Sequence, residues 1–340
     1  MWHERVPHLY ESRLHLLVFF RLFNHNNNNM TFYHLGFLLL TFLVPGGTGQ
    51  NDIECGMASL NTRIVGGTEA PAGNWPWIAS LQRQRQHSCG ASLITREWLV
   101  CAAHCFPFTP EEEPFSELRI LLGYQSLDLD NPNGVNVSVL LVIPHEDYNN
   151  VTIENDIALI RIPPVNYTVY IRPVCLAAPD TFVGAGTDIW ITGWGRINEG
   201  VDLPSPQTLR EVDAPVVCNE ECNESYGFIT SNMICAGVPE GGRGSCQGDS
   251  GGPMVVNNGS QWVQLGIVSF AVGCARPNIP GVFARVSEYQ SWIMERMNGS
   301  APPGFVRIDT NNSECSGNAF LSAPLLLTLL PTFFTTVVLM

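Results

Sequence analysis

The chain has 340 residues, of which 45% are hydrophobic and only 14% are charged, well below the roughly 25% charged residues of soluble domains. Its 17 Lys and Arg residues stand against 31 Asp and Glu residues, which gives a net charge of −14. A surface this acidic repels phosphate backbones, so nucleic-acid binding is excluded as the main function. The 31 Gly and 24 Pro residues favour a turn-rich β structure over a helical bundle.

An apolar run near the N-terminus predicts entry into the secretory pathway. Residues 35–44 are almost entirely apolar and precede small residues at 46–49, a pattern too short for a membrane span. We expect a signal peptide at 30–49, behind an extension at 1–29 whose start at Met1 need not be native. The alternative is one long signal or a type II anchor using 14–20, which Arg21 and the asparagine run at 26–29 disfavour.

The cysteines and glycosylation acceptors agree with export. Eleven cysteines without a C-x-x-C pair are typical of disulfides formed in an oxidising compartment. Seven Asn-x-Ser/Thr sequences that follow the expected signal peptide predict a glycoprotein. Their asparagines are Asn136, Asn150, Asn166, Asn223, Asn258, Asn298 and Asn311.

Four motifs in the middle of the chain carry residue types that act together in catalysis. In chain order they read TRIVGG at 62–67, LVCAAHC at 99–105, NDIALI at 155–160 and GSCQGDSGGP at 244–253. A serine hydroxyl needs a base to remove its proton as it attacks, and histidine does this once a buried carboxylate fixes its tautomer. Glycines beside the serine let backbone N–H groups approach a developing oxyanion.

These motifs in this order resemble those of the chymotrypsin-fold, trypsin-like serine proteases, with most similarity to the GPI-anchored prostasin- and testisin-like branch, over about 55–297. The resemblance implies an all-β fold of two packed six-stranded antiparallel β-barrels with a C-terminal helix. It also implies a serine endopeptidase that acts through an acyl-enzyme and needs neither cofactor nor metal. By position, His104 is the general base, Asp156 orients it, Ser250 is the nucleophile, and the N–H groups of Gly248 and Ser250 form the oxyanion hole.

The same resemblance predicts a zymogen. Cutting after Arg63 would free the amino group of Ile64, which in the family turns inward and pairs with the carboxylate beside the nucleophile, here Asp249. The chain would then divide into a propeptide or light chain at 50–63 and a protease domain at 64–297. Expected partners are protein or peptide substrates, an activating trypsin-like protease, and serpin or Kunitz-type inhibitors.

Four disulfides follow from the resemblance, and one family disulfide is missing. The positions of the missing bridge hold Ile189 and Val256, which predicts an apolar contact in its place. Cys101 lies in an apolar strand and is expected to be a buried free thiol, whereas Cys218 and Cys315 have no assigned partner. The implied pairs are Cys89–Cys105, Cys222–Cys235, Cys246–Cys274 and Cys55–Cys175.

The substrate pocket departs from the trypsin pattern. Gly244 stands where trypsin-like members place the aspartate that attracts Lys or Arg, so a cationic side chain would be buried without a partner. We therefore expect a neutral pocket that prefers apolar or aromatic residues; the alternative is basic specificity through a displaced acid such as Glu240. Because the pocket would reject arginine, the enzyme should not cut its own Arg63–Ile64 bond. The predicted substrate-binding residues are Gly244, Ser245, Ser269, Phe270, Ala271 and Gly281.

The C-terminal part of the chain predicts a helix, a stem and a lipid-anchor signal. A helix from about Ser287, with a capping box to Gln290, would turn one apolar face inward. Residues 319–340 carry no charge and follow small and polar residues at 311–317, a pattern typical of GPI attachment. We expect a stem at 298–317, a removed tail at 318–340, and the protein on the outer leaflet of the plasma membrane. A tail-embedded helix, a secreted protease without an anchor and an inert surface-binding homologue are the alternatives.

Overall fold

The computed structural model describes residues 55–61, 68–107 and 115–310. The predicted signal peptide, the Arg63–Ile64 bond, and the GPI window with its tail lie outside the described residues. Within the described part of the chain, neither α-helix has the length and apolar character needed to cross a membrane.

The first half of the domain forms a barrel of short antiparallel strands. Hydrogen bonding gives the order β6-β5-β2-β3-β4-β8-β7. β6 and β7 are separated by only two residues, of which Val139 bonds Leu118 and Leu140 bonds Arg161, so one bent strand joins both ends of the sheet. The strands are β1 (Thr68–Glu69), β2 (Ile78–Arg83), β3 (Gln86–Leu93), β4 (Trp98–Cys101), β5 (Arg119–Leu122), β6 (Val135–Ser138), β7 (Leu141–Pro144) and β8 (Ala158–Arg161).

The second half of the domain forms a barrel that is closed by hydrogen bonds between the two end strands of its sheet. Its strands follow the order β14-β11-β12-β13-β16-β15, and β15 pairs back with β14, which completes six strands. The predicted all-β fold of two six-stranded barrels is confirmed. The strands are β9 (Cys175–Ala177), β10 (Phe182–Val183), β11 (Asp188–Gly193), β12 (Arg210–Val217), β13 (Met233–Ala236), β14 (Pro253–Asn257), β15 (Trp262–Phe270), β16 (Gly281–Arg285), β17 (Phe305–Val306) and β18 (Asp309–Thr310).

The residues after the C-terminal helix fold back onto the domain, which the sequence did not indicate. β17 pairs in parallel with β9, and β18 pairs in parallel with β10. Ile308, between them, is buried. The first part of the predicted stem is therefore an integral part of the folded domain.

The predicted C-terminal helix is present, but its predicted start is wrong. A 3-10 turn spans Val286–Tyr289 and leads into helix α2, Gln290–Arg296. Among the described residues, no side chain caps either N-terminus. Ser287 is buried and makes no capping bond, so the capping box does not form. The predicted inward face is confirmed. It consists of Tyr289, Trp292, Ile293 and Met297, all buried.

The other α-helix, α1, lies earlier in the chain and spans Asn219–Tyr226. Two further 3-10 turns lie in the first barrel. They span Ala103–Cys105 and Phe115–Glu117. α1 begins directly after Cys218 and ends at Gly227, whose φ of 76° is left-handed.

The cysteines form the framework that the resemblance implied. In the described part of the chain, Cys101 is buried and is the one free cysteine. At the missing bridge, β11 and β14 are antiparallel with Trp190 opposite Val255, so the register brings the buried Ile189 opposite the buried Val256. The disulfides are Cys55–Cys175, Cys89–Cys105, Cys222–Cys235 and Cys246–Cys274.

Candidate active site

A histidine–aspartate pair lies between the two barrels. His104 sits on the 3-10 turn after β4, and Asp156 lies just before β8, which pairs with β4. The Nδ1 of His104 is 2.7 Å from Oδ2 of Asp156, and the backbone N–H of His104 donates to Oδ1 at 2.9 Å. The aspartate side chain is 1% exposed, against 28% for the histidine. This geometry places the proton on Nδ1 and leaves Nε2 free to accept one.

Ser269, predicted only as part of the pocket wall, supports the same pair. Its hydroxyl donates to Oδ2 of Asp156 across the interface between the barrels. The carboxylate therefore accepts three hydrogen bonds, two from His104 and one from Ser269. A buried charge with these partners holds one orientation of the imidazole.

The loop that carries Ser250 packs against the strand leading to His104. The carbonyl of Ser250 accepts a 2.7 Å bond from the N–H of Gly90 on β3. Gly251 has a φ of 78°, and a Cβ there would lie 2.5 Å from Sγ of Cys101 and 3.1 Å from the N of Ala102. Only glycine permits this approach, which brings the serine loop beside the histidine turn.

The backbone at the candidate oxyanion hole has two free donors. Within the described residues, the N–H groups of Gly248 and Ser250 donate no hydrogen bond. Gly248 has a φ of 100°, and a Cβ on it would lie 2.9 Å from the Cα of Gly195. The backbone at Gly248 therefore packs closely against Gly195. The two N–H groups without a partner among the described residues are donors of the kind that stabilise an oxyanion.

Ser80 and His87 hold this backbone in place, and sequence reasoning missed both. Nε2 of His87 donates to the carbonyl of Gly248 at 2.8 Å, and the hydroxyl of Ser80 donates to Nδ1 at 2.8 Å. Burial lowers the pKa of His87, which favours the neutral imidazole that this arrangement requires. No motif surrounds these two residues, so only the fold reveals their role.

Asp249 turns its carboxyl group away from Ser250, under the backbone at 193–195. It accepts N–H bonds of 2.9 Å from Gly195 and Cys246. A Cβ on Gly193 would lie 2.1 Å from Oδ1, so the glycines create the space for the carboxyl group. Desolvation raises the pKa of Asp249 to about 6. Its pairing with the amino group of Ile64 stays a prediction, because Ile64 lies outside the described residues.

A small cavity lined by Gly244 and Ser245, which precede Ser250 in the same loop, has no acidic lining residue among the described residues. It contains Arg243 and Arg276, but each is ion-paired outside it, with Asp213 at 2.8 Å and with Glu199 at 2.6 Å. Glu240 is 71% exposed and lies 3.9 Å from Arg243, but it does not line the cavity. The lining includes the predicted pocket residues Gly244, Ser245, Ala271 and Gly281.

The remaining predicted wall residue, Phe270, belongs to an aromatic cluster that is partly exposed. Its ring stacks on Phe228 with centroids 5.7 Å apart and meets Tyr226 edge-on at 5.5 Å. Phe228 is 43% exposed. The cluster therefore has an exposed apolar edge, and Phe270 directly precedes Ala271, which lines the cavity.

One group of side chains in the described ranges has the spacing of a metal site, namely Cys89, His104 and Cys105. The two sulfur atoms are bonded to each other as a disulfide. They cannot act as thiolate ligands in this state.

Comparison with known proteins agrees with this geometry. Residues 64–293 match the family model described as Trypsin. The chain is 40% identical to human testisin over 257 residues, which covers 72% of this chain and 81% of testisin. It is 38% identical to human serine protease 41 over 275 residues, covering 76% and 83% of the two chains.

Proposed function

Because the chain belongs to the trypsin family and is a serine endopeptidase of the testisin-like branch, we propose that His104, Asp156 and Ser250 are its catalytic triad. We further propose that it is an extracellular zymogen, cut at Arg63–Ile64, with a neutral substrate pocket. The observation that carries the triad is the 2.7 Å contact between Nδ1 of His104 and Oδ2 of the buried Asp156, together with the N–H groups of Gly248 and Ser250, which donate to no described residue.

The proposed reaction follows from these contacts. Nε2 of His104 takes the proton of the Ser250 hydroxyl as its oxygen attacks the substrate carbonyl, and Asp156 stabilises the imidazolium that forms. The N–H groups of Gly248 and Ser250 bind the oxyanion. His104 then protonates the leaving amine, and water hydrolyses the acyl-enzyme by the same steps.

A fluorophosphonate probe tests the triad directly. The cut ectodomain should form a covalent adduct on Ser250, and Ser250→Ala should abolish it. His104→Ala should slow labelling by about three orders of magnitude or more, because the serine loses its base. An ectodomain that is cut, folded and unlabelled would instead identify an inert homologue of the fold.

The proposed pocket preference rests on its electrostatics. A lysine or arginine side chain would enter a cavity where the described residues supply two paired arginines and no carboxylate. Leaving such a charge unpaired costs several kcal/mol. A peptide-library profile of the cut ectodomain should therefore show apolar or aromatic residues before the scissile bond. A profile dominated by arginine would support a displaced acid.

The proposed location rests on the sequence signals at the two ends of the chain. The six glycosylation acceptors among the described residues, Asn136, Asn150, Asn166, Asn223, Asn258 and Asn298, are all exposed, which is compatible with glycans. Phosphatidylinositol-specific phospholipase C should release the protein from cells if a GPI anchor holds it. Release into the medium without the enzyme would identify a secreted protease.

A further inference from the structure

The cysteine inventory leaves one bond to be assigned. Cys218 is disulfide-bonded, but its partner is none of the other described cysteines, because eight of these form four pairs and Cys101 is free. The chain holds eleven cysteines, and the one remaining is Cys315. We infer that Cys218 and Cys315 form a fifth disulfide, which fastens the C-terminal stem to the protease domain.

The fold places Cys218 at the edge that the stem approaches. Cys218 directly follows β12 and precedes α1. Two residues earlier, Val216 exchanges 2.9 Å backbone bonds with Gly186 and Thr187. The end of β12 is thus fixed beside the turn between β10 and β11.

The stem reaches the same turn. The hydroxyl of Thr310 accepts a 3.0 Å bond from the N–H of Gly184 and lies 2.9 Å from the hydroxyl of Thr187. Thr310 itself pairs with Val183 in the β10–β18 sheet. From Thr310 to Cys315 the chain has five more residues, which span at most about 17 Å when extended. Because Thr187 bonds both Thr310 and Val216, this length is sufficient to reach Cys218.

The bond requires an oxidant, and thiol–disulfide exchange in the secretory pathway supplies it. The two thiols lose two protons and two electrons to a disulfide oxidant. The oxidant is reduced to two thiols as the new sulfur–sulfur bond forms. No atom of the chain other than the two sulfurs and their protons takes part.

The disulfide also restricts lipid attachment, a consequence that rests on the proposed GPI anchor. Attachment removes every residue after the acceptor, so Cys315 stays in the mature chain only if the acceptor is Cys315 or a later residue. The predicted window 311–317 therefore narrows to 315–317. The lipid would then be attached at Cys315 or within two residues after it.

Mapping the linked peptides tests the inference on the full chain made in secreting cells. After removal of N-glycans, non-reducing digestion with trypsin and a glutamyl endopeptidase isolates Cys218 in a peptide covering 212–220. We expect this peptide joined to one that begins at Cys315, with a mass two hydrogen atoms below their sum. Cys218 linked to another cysteine, or recovered as a thiol, would overturn the inference.

The C-terminal end of the peptide that begins at Cys315 distinguishes a failure of the disulfide from a failure of the proposed GPI anchor. A linked peptide that ends at 315–317 with a glycolipid remnant supports both. A linked peptide without a lipid remnant supports the disulfide and refutes the anchor. A lipid on 311–314 would refute the disulfide, because Cys315 would then be absent from the mature protein.

A release experiment uses the one basic residue that follows Arg296, the exposed Arg307. Trypsin on intact cells should cut after Arg307, yet the domain should stay attached until a reductant is added. The double variant Cys218→Ser/Cys315→Ser should be released by trypsin alone, and adding Arg307→Gln should prevent that release. Equal release from wild type and the double variant without reductant would count against the Cys218–Cys315 disulfide.

Discussion

At the scale of single residues, Gly244 determines the proposed preference of the pocket. A Cβ at this position would lie 3.4 Å from the Cβ of Ala275, an ordinary van der Waals contact, so the backbone need not move to accept a side chain here. Gly244→Asp should convert the enzyme to cleavage after arginine and lysine. Because an unpaired charge costs several kcal/mol and 1.4 kcal/mol is a factor of ten, we expect the kcat/KM ratio of arginine to phenylalanine substrates to rise at least about 100-fold.

Glu240→Gln is the matched control for the pocket. Its carboxylate is exposed and lies outside the cavity, so the substitution should leave the cleavage profile of the wild-type enzyme unchanged. If wild type cuts after arginine and Glu240→Gln loses that activity, the acid is displaced and the neutral pocket is wrong.

Asp249 should make the uncut chain sensitive to pH. Its folded pKa is about 6 against an ordinary 3.8, so the folded state retains a proton that the unfolded state loses. The stability of the uncut chain should therefore fall as pH rises from about 4 to about 6, by about 3 kcal/mol from this group. For a domain of this size that is roughly 6–12 °C in Tm.

Cutting after Arg63 should remove this loss, because the Ile64 ammonium would pair with Asp249 and lower its pKa. The measurement compares Tm between pH 4 and 7 for the uncuttable Arg63→Gln chain and for cut Ser250→Ala enzyme. Asp249→Asn in the uncuttable chain isolates the contribution of this carboxyl group. An identical pH profile with and without the carboxyl group would contradict the prediction.

Sequence reasoning at this scale identified the residues within motifs and missed those that act through space. His104 and Asp156 were predicted, and Nδ1 of His104 lies 2.7 Å from Oδ2 of Asp156. The second role of Ser269, its bond to Asp156, and the support from Ser80 and His87 were not predicted. These contacts join strands that are distant in sequence, so no local pattern encodes them.

At the scale of elements, an ion pair ties the pocket wall to the loop after β11. Glu199 accepts bonds from Arg276 and from the N–H of Cys274, next to the Cys246–Cys274 disulfide. Both partners are exposed, so their contribution to stability is small, but they position the wall. Glu199→Ala should leave Tm unchanged and raise KM several-fold, with kcat nearly constant.

Asp202→Ala is the control in the same loop, since its exposed pair with Arg196 does not contact the wall. It should change neither Tm nor KM. A fall in kcat or in Tm for Glu199→Ala alone would show that the pair does more than position the wall.

Element boundaries show which parts of the fold a sequence encodes locally. The Gly and Pro content favoured a turn-rich β structure, and the apolar pattern of the last helix predicted its buried face correctly. The capping box failed because Ser287 is used inside a buried 3-10 turn. β17 and β18 are two-residue strands whose partners, β9 and β10, lie more than 120 residues earlier, beyond any local pattern.

At the scale of the whole molecule, the proposed pocket and the proposed activation site do not match. The bond to be cut follows Arg63, whereas the cavity has no described carboxylate to receive an arginine. Purified proenzyme should therefore stay intact on incubation, and added trypsin should produce a new N-terminus at Ile64. The triad would be assembled but inactive until a second protease acts.

Gly244→Asp tests the substrate pocket and the activation site together, in one chain. The substitution should let activated molecules cut Arg63–Ile64 in their neighbours, so a trace of trypsin should trigger complete processing, and N-terminal sequencing should show Ile64. Adding Ser250→Ala should stop processing beyond the trace, because the added trypsin is then the only active protease. Wild-type proenzyme that completes its own cleavage, while its Ser250→Ala form does not, would show that the pocket accepts arginine. The neutral pocket and the need for a separate activator would then both be wrong.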